Sequence, residues 1–136
     1  MRSRGIRGAI LIVEDAEPAA ATLEVALAGI GGREVLIAST GAEALRVIGD
    51  GTPAIQAVVT DLNMPVMDGL EFIRRLRSDR RFSSLPVIVV SGETDPNAPQ
   101  QALGVGADAY FSKPYSPSQV RNELEQLLNA NGTREI

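Results

Sequence analysis

Five residues of types that do chemistry stand directly behind apolar runs: Glu14 and Asp15 after the run 9–13, Asp61 after 55–60, Ser91 closing 86–91, and Lys113 after 107–111. A lone carboxylate behind a strand can be a nucleophile, a metal ligand or a helix cap, and the cap is the common case. A lone Ser or Lys there is usually structural or solvated. Brought together, they would do something else. Three bare acids raise one another's pKa, so a cation is their natural companion. The chain has no cysteine and no histidine, which leaves oxygen-ligand chemistry: Mg²⁺, or Mn²⁺, held by one or two carboxylates, waters and a phosphoryl oxygen. A hydroxyl donor and an ammonium added to three acids and a metal describe a site for a phosphoryl group bonded to one carboxylate, and Asp61, central in the set, is the candidate for that bond.

Whether the five meet depends on the elements that carry them. The run 9–13 is continuously apolar, as a strand buried on both faces of a parallel sheet must be. Pro18 then suits a first helical turn, with Ala19, Leu23, Ala26, Leu27 and Ile30 at helical spacing until the glycines at 29–32 stop it. A second strand is expected over 34–38 and a helix after Gly41 with Ala44, Leu45 and Ile48 on one side. A third strand covers 55–60, and a third helix runs from about Asp68 to Leu76. The fourth strand is expected over 86–91, its proline at the start where no ladder donor is missed. A weaker helix follows over 95–103, with Asp95 as cap and Pro96 as first residue. A short strand over 107–111 precedes a last helix opened by Ser116 and Pro117, where Val120, Leu124, Leu127 and Leu128 form an apolar stripe.

Five alternations of strand and helix call for a parallel sheet covered on both faces. The expected class is α/β, a flavodoxin-like doubly wound (βα)5 sheet in a single domain, order 2-1-3-4-5 by analogy. Strands one and three are then neighbours, and Glu14, Asp15 and Asp61 share one cleft.

Composition narrows the classes. At 136 residues and 44% hydrophobic, the chain can bury one core. Without Cys or His it can form no disulfide, no Cys/His zinc site and no triad based on imidazole. A net charge of −4 with 4% aromatics argues against direct nucleic-acid contact. The one basic cluster, Arg74, Arg75, Arg77, Arg80 and Arg81, reads as cations around a helix C-terminus. The apolar run after Arg2, Arg4 and Arg7 is too short for export or membrane insertion, so a cytoplasmic protein is expected.

Four motifs then carry a family resemblance: Val13-Glu14-Asp15, Asp61-Leu-Asn-Met-Pro65 with Met67-Asp68-Gly69, Val90-Ser91-Gly92, and Tyr110-Phe-Ser-Lys113-Pro114. Together they resemble the receiver domain of two-component response regulators, in particular the single-domain chemotaxis type. The resemblance implies a receiver over 9–129, leaving an N-terminal arm over 1–8 and a C-terminal tail over 130–136. A stand-alone regulator and a receiver excised from a longer regulator or hybrid kinase both fit, and the tail, which looks like a natural frayed end, favours the former slightly. It implies that Asp61 accepts a phosphoryl group from a phosphohistidine on a sensor histidine kinase or histidine phosphotransfer protein. Glu14, Asp15, Asp61 and the carbonyl of Asn63 would hold the metal, while Ser91, Gly92 and Lys113 would bind the phosphoryl group. Ser91 and Tyr110 would switch, and Pro65, Asp68, Gly69 and a cis Lys113–Pro114 bond would be structural. The readout to a downstream protein would use helix four, strand five and helix five. Asn63 and Glu93 stand where the family tunes phosphoform lifetime, and both are polar, which predicts a short-lived phosphoform. Such a domain is no turnover enzyme, catalysing only its own phosphotransfer and dephosphorylation. The alternative is a degenerate receiver acting as a phosphorylation-independent binding module.

Other readings of the same pattern fit less well. A flavin binder would need a phosphate-friendly loop where Glu14-Asp15-Ala-Glu17 stands, and no Gly-x-Gly-x-x-Gly follows strand one. Phosphatases with an Asp nucleophile place it after strand one with a second Asp two residues on, unlike Asp61-Leu62-Asn63.

Overall fold

The computed structural model describes residues 8–135, with side chains to residue 130. Residues 1–7 of the expected arm, with Arg2, Arg4 and Arg7, lie outside the described residues, as does residue 136. Five strands, β1 (Ala9–Val13), β2 (Glu34–Ala38), β3 (Ile55–Thr60), β4 (Val87–Ser91) and β5 (Ala109–Ser112), alternate with α1 (Glu17–Leu27), α2 (Gly41–Asp50), α3 (Gly69–Ser78), α4 (Ala98–Val105) and α5 (Pro117–Glu135). All pairings are parallel and the order is β2-β1-β3-β4-β5, as expected.

Strand alternation divides the core into two layers. Ala9, Leu11 and Val13 of β1 face one way, with Val58, Val87 and Val89, under Ile48 of α2, Phe72, Ile73 and Leu76 of α3 and Ala102 of α4. Ile10 and Ile12 face the other way, with Val59, Ile88 and Val90, under Leu23 and Leu27 of α1 and Val120 and Leu124 of α5. The continuous apolar runs are thus explained by burial on both faces.

The differences from expectation sit at element ends. Pro86 lies just outside β4, yet its carbonyl accepts from Val58 N at 2.9 Å, so it adds an acceptor to the ladder without a donor. Ile30 belongs to a short 3-10 turn, Ile30–Gly32, where it is buried. The expected helix over 95–103 is displaced toward the C-terminus. Asp95 Oδ1 accepts from Asn97 N at 2.8 Å in a local turn rather than capping the helix, and Pro99 falls in its first turn. Its other end is a left-handed closure at Gly106, with φ 120° and the Gly106 N–H donating to Leu103 O, and Ala107 N donating to Ala102 O. Ala107 therefore belongs to that closure, and β5 begins at Ala109. The last helix continues past residue 129, through the segment read as a frayed tail.

Candidate functional site

The sheet register brings the strand ends to one level: Val13 pairs with Ala38 and Thr60, Thr60 with Val89, and Ser91 with Ser112. The ladder runs one step further. Asp61 N donates to Val13 O at 3.1 Å, Glu14 N to Ala38 O at 3.0 Å, and Lys113 N to Ser91 O at 2.8 Å. Backbone hydrogen bonds thereby fix the origins of the acid and lysine side chains.

Glu14 and Asp61 are nearly buried, at 3% and 6% exposure, and Lys113 lies between them. Its Nζ is 3.1 Å from Asp61 Oδ2 and 3.4 Å from Glu14 Oε1. The second oxygens are also engaged, Asp61 Oδ1 accepting from Asn63 N at 3.1 Å and Glu14 Oε2 from Ala16 N at 3.2 Å. Burial pushes the Glu14 carboxyl above the usual carboxylate range, with the Asp61 charge adding to it, while the Ala16 N–H and Lys113 pull the other way. For Lys113 burial disfavours the ammonium, but the hydrogen bond and charge of Asp61 and then the charge of Glu14 outweigh it, and its pKa is raised.

The acceptor loop is built by close approach. Asp68 caps α3, its Oδ1 accepting from Glu71 N at 2.9 Å. A Cβ on Gly69 would lie 2.4 Å from the Asp61 carbonyl oxygen, so only glycine lets α3 start this near the acid. Pro65 O accepts from Met67 N at 2.8 Å, closing a three-residue turn with Val66 at φ 70°. Lys113–Pro114 is cis, as expected, and Thr52–Pro53 is also cis.

Of the residues picked from sequence, Glu14, Asp61 and Lys113 meet directly. Asp15 is exposed at the rim, beside an open cleft of about 510 Å³ lined also by Glu17, Glu24, Ser39 and Glu43. Asn63 is exposed. Ser91 is buried on the same level, and its Oγ accepts from Glu93 N at 3.0 Å. Gly92 is exposed, and a Cβ there would make only an ordinary 3.7 Å contact with Lys113 Cδ. Tyr110, level with Val89, packs at half-burial against the layer under α2, α3 and α4. Of the basic cluster, Arg75 and Arg77 lie in the last turn of α3, as read from the sequence, and four of its five arginines form ion pairs: Arg74 and Arg75 with Glu71, Arg81 with Asp79 and Arg77 with Asp108.

Two participants escaped the sequence reading. Thr60 is fully buried, and its Oγ1 donates to the Asp61 carbonyl at 2.9 Å. Its signal was a hydroxyl in an otherwise apolar strand end. Tyr115, just behind Lys113 and Pro114, is held above the usual phenol range, mainly by burial, with Glu14 and Asp61 adding and Lys113 subtracting.

Among the described residues no group of three acids converges into a ready-made metal cage. Mg²⁺ does not need one, since it keeps several waters and takes one or two carboxylates. Two buried carboxylates that already share one cation, in a chain with only hard oxygen donors to offer, fit such an ion.

The model of the response regulator receiver domain family matches residues 10–125. The chain is 32% identical over 122 residues to the chemotaxis protein CheY1 of Helicobacter pylori, covering 90% of this chain and 98% of that protein. It is 34% identical over 123 residues to the phosphate regulon transcriptional regulatory protein PhoB of Pseudomonas aeruginosa, covering 90% of this chain and 52% of that one. Its fold is similar to the signal receiver domain of a signal transduction histidine kinase from Syntrophus aciditrophicus, with TM-score 0.79, 29% identity, and 90% and 91% of the two chains covered.

Proposed function

The chain belongs to the response regulator receiver family, and on that premise we propose that Asp61 is its phosphoacceptor. A carboxylate oxygen of Asp61 attacks the phosphorus of a phosphohistidine on a sensor histidine kinase or phosphotransfer protein. The P–N bond breaks, its electron pair leaves with the imidazole nitrogen, and an acyl phosphate remains on Asp61. Residues 1–136 contain no histidine, so the phosphohistidine lies outside this stretch of chain. The observation that carries this reading is the single contact set in which Lys113 Nζ reaches both Asp61 and Glu14 at the carboxyl edge of the sheet.

The residues divide the work by charge. Lys113 stays against the Asp61 side and stabilises the phosphoryl oxygens. Glu14, Asp15, Asp61 and the Asn63 carbonyl would hold Mg²⁺ or Mn²⁺, which would supply charge neutralisation for the transferring group. Ser91 exchanges its bond from Glu93 N for one donated to a phosphoryl oxygen, beside the Gly92 N–H. Tyr110 then turns toward the space Ser91 leaves, and the altered face of α4, β5 and α5 is read by a downstream protein. Hydrolysis of the acyl phosphate, with Asn63 and Glu93 orienting water, resets the domain. The setting is the cytoplasm, and no helix among the described residues is long and apolar enough to cross a membrane.

The test is the intact mass after incubation with acetyl phosphate and Mg²⁺, beside Asp61→Asn. Gain of one phosphoryl group that needs Mg²⁺ and Asp61 is the expected result. No gain, and no binding of beryllofluoride, would replace this reading with the binding-module alternative.

A further inference from the structure

We propose that Arg77 is a positioning residue that makes α4 a one-ended lever, pinned at its carboxyl end and free to move at the end next to Ser91. This rests on the switch reading above. Arg77 lies in the last turn of α3 and is only 17% exposed. Its Nε and Nη2 both donate to Gly106 O, at 3.0 and 2.7 Å, in the closure that ends α4. Its Nη1 donates to Phe82 O at 2.8 Å, and Nη2 also reaches Asp108 Oδ2 at 3.3 Å. Asp108 in turn accepts from Val87 N at 2.8 Å through the same oxygen, and its own N–H donates to Val87 O at 2.8 Å. One guanidinium therefore ties the end of α4, the approach to β5 and the start of β4 to α3.

The space is shaped for it. A Cβ on Gly106 would lie 2.7 Å from Arg77 Cγ, so the glycine serves the arginine as well as its own φ of 120°. A planar fork can make these bonds together, and a lysine cannot.

The amino end of α4 has no counterpart. Its cap residue Asn97 makes no side-chain capping bond, and Pro99 in the first turn has no N–H to give. Only Ala98 and Ala102 of the helix are buried, so little apolar area resists movement. Residues 92–97 are all exposed, and they lead straight back to Ser91, whose Oγ holds Glu93 N. A change at Ser91 thus meets a loose end first and a fixed end last.

The test is amide exchange on the whole chain, free and with Mg²⁺ plus beryllofluoride, for wild type, Arg77→Lys and Arg77→Gln. Within 92–108 of the wild type, the change on adding beryllofluoride is confined to 92–101. In both variants exchange at Gly106, Ala107 and Asp108 is faster by about tenfold or more in the free protein, from the loss of charge-assisted hydrogen bonds. In both, the beryllofluoride-induced change also spreads through 102–108, while mass gain from acetyl phosphate is unaltered. Wild-type exchange at Gly106 to Asp108 in the variants, or a wild-type change running the whole length of α4, overturns the lever. No beryllofluoride response anywhere in the wild type overturns the proposed function itself, which separates the two failures.

Discussion

Lys113 Nζ lies 3.1 Å from Asp61 Oδ2 although 52 residues separate them, and the same nitrogen reaches Glu14 across 99 residues. The ammonium stands where a metal ion held by the same two acids would compete with it. Lys113→Met leaves two nearly buried carboxylates facing each other. Without metal, the variant should lose about 1–3 kcal/mol in urea unfolding. With metal, its Mg²⁺ affinity by titration calorimetry should rise roughly tenfold, since a resident cation is gone. Weaker Mg²⁺ binding in the variant would mean that Lys113 helps the ion instead of competing with it.

Glu14 sets a pH dependence whose sign follows from its raised pKa. The native state keeps the proton to higher pH than the unfolded chain does, so this group's contribution is greatest below its ordinary value of 4.5 and declines as pH rises through the raised value. Glu14→Gln keeps an acceptor for Ala16 N and removes the titration. The stability of Glu14→Gln relative to wild type should therefore grow with pH above 4.5 and then level off, as read from urea midpoints across pH. A difference that shrinks over that range refutes the assignment.

Val66 is fully exposed and sits at φ 70°, where a β-branched side chain is strained. It packs against nothing that a smaller polar residue would forfeit. Val66→Asn, better suited to positive φ, should stabilise the protein by about 1 kcal/mol in thermal or urea unfolding. An unchanged midpoint would indicate that the loop relaxes the strain elsewhere.

Gly69 and Gly49 give opposite answers to the same substitution. A Cβ on Gly69 meets the Asp61 carbonyl oxygen at 2.4 Å and Leu62 Cα at 2.7 Å, whereas one on Gly49, inside α2, meets nothing within 4 Å. Gly69→Ala should cost about 3 kcal/mol and lower phosphoryl uptake by moving Asp61. Gly49→Ala should stabilise by about 0.5–1 kcal/mol with uptake intact. Circular dichroism melts beside the mass assay check both.

Strand positions were readable where burial on both faces demands apolar runs, as in β1, β3 and β4, while the half-exposed edge strand β2 was marked by its β-branched and aliphatic residues between turn signals. The start of α4 was not, because Asp95 and Pro96 make a plausible opening that a local turn pre-empts, and only the packing of Ala98 and Ala102 decides where the helix settles. The end of α4 escaped for a related reason. Gly104 and Gly106 read alike in sequence, while the Arg77 guanidinium waits beside only one of them.

The sequence by itself determined the residue types of the site and the level at which each enters it, since a carboxylate behind a strand must emerge at that strand's end. Tertiary structure decided which of them touch. The β2-β1-β3-β4-β5 order makes β1 and β3 neighbours, so Glu14 and Asp61 come within reach of one lysine, while Asp15 emerges at the rim. It also turned the Ser91 hydroxyl to Glu93 N and packed Tyr110 into the layer under α2, α3 and α4. Side-chain direction depends on hydrogen-bond partners and on space, and both are supplied by parts of the chain far away in sequence.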